Sequence, residues 1–152
     1  MLADGSVVTW GKEESGGDSS AVKNQLQGVK QIQATKCAFA AILADGSVVT
    51  WGTEESGGDS SAVKNQLKGV KQIQATTRAF AAILADGSVV TWGSRFDGGD
   101  SSRIQDQLKG VQQIQATSAA FVAILADGSV ATWGSPDHGG DSSAVADHLA
   151  FV

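Results

Sequence analysis

Three kinds of apolar stretch follow one another along the chain, separated by polar residues. In residues 29–35 apolar and polar positions alternate imperfectly, because Ile32 and Ala34 fall out of strict phase. Residues 38–43 form a continuous apolar run rich in alanine, which is typical of a strand buried on both faces. Residues 47–51 are rich in β-branched and aromatic side chains, which favour strands. The pattern therefore predicts three consecutive β-strands.

The connections between these strands carry their own signals. Asp45-Gly46 lies between the second and third runs and predicts a hairpin with a type I′ turn, in which both central residues have positive φ. A polar loop follows Trp51-Gly52. The next stretch, 59–67, fits either a two-turn helix capped by Asp59 or Ser60 or a short outer strand. The sequence leaves that choice open.

The whole pattern repeats. The string Ala-Asp-Gly-Ser-Val-(Val/Ala)-Thr-Trp-Gly occurs four times with a period of 41 residues, and a fixed period in this range indicates a propeller, a solenoid or another array. We divide the single repeat domain, 1–152, into copies 2–42, 43–83, 84–124 and an incomplete 125–152. The predicted class is all-β, an array of antiparallel three- to four-stranded propeller blades. A parallel β-helix competes, but its coils are usually shorter and lack a tight Asp-Gly hairpin.

The repeat predicts about three full blades and partial ends. Complete three-strand sets fall at 29–52, 70–93 and 111–134, whereas 5–11 reads as a lone third strand. Three blades are fewer than a typical ring contains, so unpaired edges are expected. We expect a piece of a longer propeller, an assembly with a second copy in which 7–10 completes a blade, or an open stack.

Composition and charge narrow the classes of partner and the location that are expected. The formal net charge is −5 and the lysines never form a run, which argues against nucleic acid. No stretch reaches the length of a membrane span, and the N-terminus does not resemble a signal peptide. Cys37 is the one cysteine, so no internal disulfide can form. We therefore expect an intracellular, reducing location and no insertion into a membrane.

The repeat unit resembles that of the regulator of chromosome condensation (RCC1-like, HERC-type) β-propeller family. In that family a strand ending in Ala-Gly, a strand carrying Ala-Leu, an Asp-Gly turn and a strand ending in Trp-Gly follow in order. The counterparts here are 72–76, 79–84, Asp86-Gly87-Ser88 and 89–93. The unit is shorter than the family's, and Gly-Gly-Asp-Ser-Ser replaces its Gly-Gln-Leu-Gly. The resemblance implies a propeller fold; neither ligase nor nucleotide-exchange activity is expected, because this sequence has no counterpart of the parts that carry them.

Several recurrent or unusual residues belong to types that can carry binding or catalytic chemistry. The tryptophans Trp10, Trp51, Trp92 and Trp133 are interpreted as core between blades, with a ring of sugar-binding aromatics as the alternative. The aspartates Asp18, Asp59, Asp100 and Asp141 are interpreted as turn formers, since one per unit is too few for calcium. A nucleophile–base pair with His138 or His148 would need a repeat-breaking Ser or Cys nearby in space, and Cys37 lies far along the chain, so both histidines are expected at the surface. No catalytic, cofactor-binding or metal-binding residue is predicted, and the protein is not expected to be an enzyme.

Differences between copies concentrate at two places. One is the turn between the first two strands (36–37, 77–78, 118–119), and the other is the loop after Trp-Gly (12–15, 53–56, 94–97, 135–138). In an up-and-down blade both lie on one face of the disc, opposite the Asp-Gly turns such as Asp45-Gly46 and Asp86-Gly87. Loops on a rigid scaffold often bind partners, although unconstrained drift would give the same variation. The candidate partner-binding residues are Lys36, Arg78, Arg95, Phe96, Asp97, Asp137 and His138.

Three functions remain open from the sequence. A non-enzymatic protein-interaction scaffold that binds a protein partner is favoured. A structural subunit, or a fragment of a larger propeller or assembly, is the main alternative. A carbohydrate-binding lectin that uses the tryptophans has the least support.

Overall fold

The structure is a computed structural model, and it describes residues 1–142. Nine strands form three antiparallel three-stranded sheets, each in sequential order. We call these sheets blades 1, 2 and 3. Their strands are β1 Val29–Ala34, β2 Ala38–Leu43, β3 Val48–Gly52, β4 Val70–Ala75, β5 Ala79–Leu84, β6 Val89–Gly93, β7 Val111–Ala116, β8 Ala120–Leu125 and β9 Val130–Gly134. The three predicted blades are thus confirmed, with three strands in each.

The core lies between successive blades. Ala38, Ala40 and Ile42 of β2 pack against the next blade, where Ile73 and Phe80 are 0% exposed. The same arrangement recurs one unit later, between β5 and blade 3. Alanine is common in the central strand because its small side chain lets the facing sheet approach closely. Burial of each large apolar side chain in these layers contributes about 1.5–3 kcal/mol.

Backbone hydrogen bonds also join the blades at both ends of the strands. At one end Lys36 N donates to Thr77 O over 2.8 Å, and Thr77 N donates to Ser118 O over 2.8 Å. At the other end Val70 N donates to Gly46 O over 2.9 Å. The turns therefore fix the spacing of the blades as well as joining their strands.

The Asp-Gly turn is not the predicted type I′. Among the described residues every positive φ belongs to a glycine, so Asp45 does not have one, whereas Gly46 has φ 82°. Gly46 N donates to Leu43 O, and Leu43 N donates to Ser47 O. The loop thus has three residues, a β-turn followed by a left-handed glycine, which is the next most common hairpin solution. The Asp45 side chain stabilises it by accepting from the N–H and hydroxyl of Ser47.

The outer segment, for which the sequence left a helix and a short outer strand open, is a 3-10 helix. It spans Ser20–Gln25, Ser61–Gln66 and Ser102–Gln107 in successive units. Asp59 Oδ1 accepts from Ser61 N at 2.8 Å, which turns the chain into the helix. Shorter 3-10 helices follow the Trp-Gly pairs at Glu13–Ser15, Glu54–Ser56, Arg95–Asp97 and Pro136–His138.

The N-terminal segment takes the place of a third strand without pairing as one. The predicted strand at 5–11 is wrong as such, because no hydrogen-bonded strand is present there. Even so, Val29 N donates to Gly5 O over 3.1 Å, as Val70 N does to Gly46 O. Thr9 Oγ1 lies 2.9 Å from Ser19 Oγ, as Thr50 does from Ser60 at 3.0 Å. The contacts that hold a third strand in place therefore form here as well.

Candidate partner-binding face

The two variable segments adjoin in every blade. Ser94 N donates to Arg78 O over 2.8 Å, and the equivalent bond joins Thr53 N to Cys37 O over 2.8 Å. The bond in blade 3 joins Ser135 N to Ala119 O over 2.9 Å. We call the surface formed by these turns and loops (36–37, 77–78, 118–119, 53–56, 94–97 and 135–138) the variable face. Its backbone is held by the sheets, so its side chains project from a fixed frame.

An ion pair ties the two segments together in blade 2. Arg78 Nε donates to Asp97 Oδ2 over 2.7 Å, which makes this contact an ion pair. Asp97 is 8% exposed, and its carbonyl accepts from Thr76 Oγ1 at 2.8 Å. Its carboxylate therefore positions Arg78 and is covered by it. Of the two residues, only Arg78 has an exposed side chain.

Arg95 and Phe96 are the outermost side chains of the same loop. Phe96 is 66% exposed, the largest exposed fraction among described phenylalanines. The Arg95 guanidinium carbon lies 4.8 Å from the centre of the Phe96 ring, a cation–π contact. Gly98, with φ 100°, ends this turn of 3-10 helix. Arg95 and Phe96 thus form a compact surface feature that combines an apolar ring and a positive charge.

A cleft lies on each side of this feature. The first, of about 670 Å³, has acidic residues Glu54, Glu55 and Asp59 on one wall and Arg78 and Arg95 on the other. The second, of about 680 Å³, runs from Phe96 to the loop of blade 3. Both are surface clefts that are open to solvent.

The remaining candidates are distributed over the variable face. Lys36 is exposed one blade before Arg78, and Asp137 and His138 are exposed one blade after Asp97. His138 Nδ1 lies 3.0 Å from Ser135 Oγ, and its carbonyl accepts from Thr117 Oγ1. The candidates are therefore spread across three blades and do not converge on one pocket. His148 lies outside the described residues.

Three of the four tryptophans occupy the interfaces between units. Trp51, Trp92 and Trp133 are 4–5% exposed, and each indole N–H donates to a glycine carbonyl of the preceding unit at 3.0–3.1 Å. These rings cannot form a sugar-binding ring on the surface. Trp10 differs, since it is 84% exposed. The sequence interpretation of Trp10 as core is therefore wrong, and the lectin hypothesis loses its ring of aromatics.

The recurrent aspartates have local partners. Oδ1 of Asp18, Asp59 and Asp100 accepts the backbone N–H two residues later at 2.8–2.9 Å. Hydrogen bonds from the hydroxyl and N–H of Ser102 lower the pKa of Asp100, and nearby Arg103 and Arg95 lower it further. Within residues 1–142 no group of three or more histidine, cysteine or acidic side chains could hold a metal ion. In the same part of the chain no helix is long and apolar enough to cross a membrane.

Comparison with solved structures decides the fold. Prp20p of Saccharomyces cerevisiae, the yeast RCC1, superposes with a TM-score of 0.57 at 18% identity, over 82% of this chain and 40% of that one. The chain has the RCC1-like propeller-repeat fold. Receptor-kinase ectodomains match it as well: CR4 of Physcomitrella patens (TM-score 0.55, 17% identity, 88% of this chain and 34% of that one) and the CRINKLY WD40 ectodomain of Arabidopsis thaliana ACR4 (0.53, 22%, 71% and 39%).

The match covers only part of each solved propeller structure. The chain spans about 30–40% of the length of these structures. No protein-family model and no curated protein matches the sequence. The similarity to propellers therefore shows the fold of this chain, and the evidence on its function lies in its surface.

Proposed function

We propose that this RCC1-like repeat domain is a non-enzymatic scaffold that binds a protein partner through the variable face. The observation that carries the proposal is the contrast between the two loops that follow β3 and β6. The first holds Glu54 and Glu55, whereas the second presents Arg95 and Phe96 on the same backbone. A rigid frame that repeats while its outermost side chains change is typical of a binding scaffold.

The chemistry of this loop supports a protein ligand. Arginine and aromatic residues are enriched among the residues that dominate binding energy. Phe96 offers apolar area, and Arg78 and Arg95 line the adjacent cleft opposite Glu54 and Glu55. An extended peptide with a side chain for Phe96 and charges of both signs would complement these walls. The crystal structure of Prp20p was reported together with its binding to Gsp1p and histones. That neighbour therefore illustrates protein binding by this fold.

The test compares paired alanine variants at equivalent positions of two units. Arg95→Ala with Phe96→Ala removes the proposed contact, while Glu13→Ala with Glu14→Ala changes the same positions two units earlier, where neither residue lines the two clefts. Proteins retained on the immobilised chain are identified, and the affinity of each purified candidate is measured by calorimetry. We expect the first pair to weaken binding at least tenfold, which corresponds to about 1.4 kcal/mol. Equal binding by both pairs and the unchanged chain would contradict the proposal.

Self-association or membership of a larger assembly is the second part of the proposal. It is supported by the large apolar side chains at the N-terminal end, where Met1, Leu2 and Trp10 are 52–84% exposed. Light scattering on a size-exclusion column measures the solution mass. A dimer supports self-association, and a strict monomer across the concentration range contradicts it for this chain.

A further inference from the structure

The first cleft of the variable face has walls of opposite charge, built on two loops with the same backbone. Glu54, Glu55 and Asp59 lie on one wall. Arg95 and Phe96 lie on the other. Both loops are single turns of 3-10 helix that end at a left-handed glycine, with φ 94° in one and 100° in the other. The repeat therefore places two carboxylates on one side of the cleft and an arginine with a phenylalanine at the equivalent positions on the other side.

The charges on the two walls are presented to solvent. Glu54, Glu55 and Arg95 are exposed, and among residues 1–142 none of the three takes part in an ion pair. The Asp100 carboxylate near Arg95 lines the second cleft and not the first. Exposed charges of both signs on facing walls favour a partner that carries the same two signs in the reverse order.

A second molecule of this chain presents that reverse order. When two identical surfaces meet about a two-fold axis, each contact occurs twice, so the surface has to be complementary to itself. With the axis passing through the cleft, Arg95 of each molecule faces Glu54 and Glu55 of the other. The formal net charge of −5 opposes the association of two molecules, so their contact has to bring opposite charges together.

The cleft also offers apolar contacts for the Phe96 ring. Ala62, Val63 and the largely buried Trp92 line it. Phe96 is 66% exposed in the single chain, so its burial in the cleft of a second molecule removes apolar surface from water on both sides of the contact. Aromatic residues and arginine are the types that most often dominate binding energy at such contacts.

We propose that the occupant of this cleft is a second molecule of the same chain, in a two-fold dimer in which Arg95 and Phe96 of each molecule enter the cleft of the other. Arg95 pairs with the acidic wall, while Phe96 packs against the apolar side chains. The proposal rests on the proposed function, because it names the protein that the variable face binds. One cleft per molecule is a small contact, which places the dimer among the weak and reversible interfaces.

Charge reversal followed by mixing tests the proposal on the full chain. Arg95→Glu, or Glu54→Arg with Glu55→Arg, sets like charges against each other at both contacts, so each variant alone should dimerise at least tenfold more weakly. In an equal mixture of the two variants both contacts again join opposite charges, so the mixed dimer should form with an affinity within about threefold of the unchanged chain. Analytical ultracentrifugation over a range of concentrations measures each dissociation constant. Rescue by mixing also shows that both variants are folded.

Two control variants locate the contact. Glu13→Arg with Glu14→Arg gives the same change of net charge at the equivalent positions of the first unit, which do not line this cleft. That variant should dimerise as the unchanged chain does. Trp10→Ala should do so as well, and a dimer lost on Trp10→Ala would use the N-terminal end and would overturn the inference. Raising the salt concentration from about 0.05 M to about 0.5 M should weaken the dimer, because salt screens exposed charges.

A disulfide between two molecules tests the geometry. In a Cys37→Ser background, a chain with Arg95→Cys is mixed with a chain with Glu55→Cys, and the second, unaltered contact still holds the pair together. We expect rapid cross-linking to a dimer that does not grow further. Glu14→Cys in place of Glu55→Cys is the matched control, and equal cross-linking rates for the two would overturn the inference.

The outcomes separate this inference from the proposed function. A chain that stays monomeric, a dimer unaffected by Arg95→Glu, or a mixture that shows no rescue would each overturn the inference. If such a chain still binds another protein through Arg95 and Phe96, the proposed function stands and only the identity of the partner is wrong. If the alanine pair at these two positions changes no binding either, both proposals fail.

Discussion

Trp92 and Trp10 occupy equivalent positions in identical nine-residue strings, yet their surroundings differ completely. Trp92 is 5% exposed, its ring lies 5.2 Å from Phe80, and its indole N–H donates to Gly57 O. Trp10 is 84% exposed although its segment is anchored to blade 1. The difference shows that a unit of this repeat completes its core only with the central strand beside it and the unit before it. Stability is therefore expected to be greatest where a blade has neighbours on both sides.

The largest effect expected from this comparison is at the buried phenylalanine. Phe80→Ala should cost about 3–5 kcal/mol of unfolding free energy, because it opens a cavity beneath Trp92 in a fully covered layer. Phe39→Ala at the half-buried equivalent should cost about 1–2 kcal/mol less, since part of that ring already faces solvent. Urea unfolding followed by circular dichroism measures both. Equal losses would mean that blade 1 is covered as well as blade 2.

The glycines that face these rings give the next largest effect. A Cβ added to Gly57 would lie 2.6 Å from Cδ2 of Phe80, whereas one added to Gly139 meets no atom of residues 1–142 within 4 Å. Both residues have φ near 100°, at 94° and 101°, so an alanine bears similar backbone strain at either site. We expect Gly57→Ala to destabilise by about 1–3 kcal/mol more than Gly139→Ala. The comparison of denaturation midpoints isolates packing from backbone strain.

Replacing each tryptophan by phenylalanine should give a smaller difference in unfolding free energy between the two positions. Trp92→Phe leaves the buried Gly57 carbonyl without its donor and reduces volume, so a loss of about 1–3 kcal/mol is expected. Trp10→Phe should change stability by less than about 0.5 kcal/mol, as exposed substitutions usually do. Thermal unfolding of both variants checks this. A large loss for Trp10→Phe would show that the ring is covered in solution.

The smallest effect concerns pH and the Asp-Gly turns. Hydrogen bonds from the hydroxyl and N–H of Ser47 lower the pKa of Asp45, and Ser88 lowers that of Asp86 in the same way. Because the folded pKa is the lower one, this stabilisation is complete above the unfolded value of about 3.9 and is lost as pH falls through the folded pKa. Ser47→Ala should flatten the dependence of unfolding free energy on pH below about pH 4. An unchanged slope would contradict the assignment.

Much of the fold follows from local pattern. The runs 38–43 and 47–51 predicted β2 and β3 to within a residue, because apolar continuity and β-branched residues favour strands wherever they occur. The predicted turn type was wrong because the two-residue type I′ turn and the three-residue loop that the structure shows can both contain an Asp-Gly pair. The left-handed glycine was predictable from the sequence, whereas the conformation of Asp45 depends on the loop length. The outer segment stayed open because Ser61–Gln66 has no strong period of either kind.

The candidate site was only partly accessible from sequence. Variation between copies located the loop that carries Arg95 and Phe96, both of which are exposed. It also nominated Asp97, which is buried under Arg78. The sequence does contain a signal for this pair. Cys37 and Ser56 of one copy are replaced in the next copy by Arg78 and Asp97, which carry opposite charges. The exposure of Trp10 was missed, because tryptophan at a repeated position is ordinarily core.

The sequence by itself determined the unit, its strands and the number of complete blades, since these depend on the order of residues within 41 positions. Only the tertiary structure decided which copies of a residue are buried. Residues 3–11 and 44–52 are identical, yet among the described residues 48–52 pair with a central strand and 7–11 do not. Strand propensity is local, but hydrogen-bond pairing and burial belong to the neighbouring strand and blade. The same nine residues thus form a packed strand in one place and a segment with an exposed tryptophan in another.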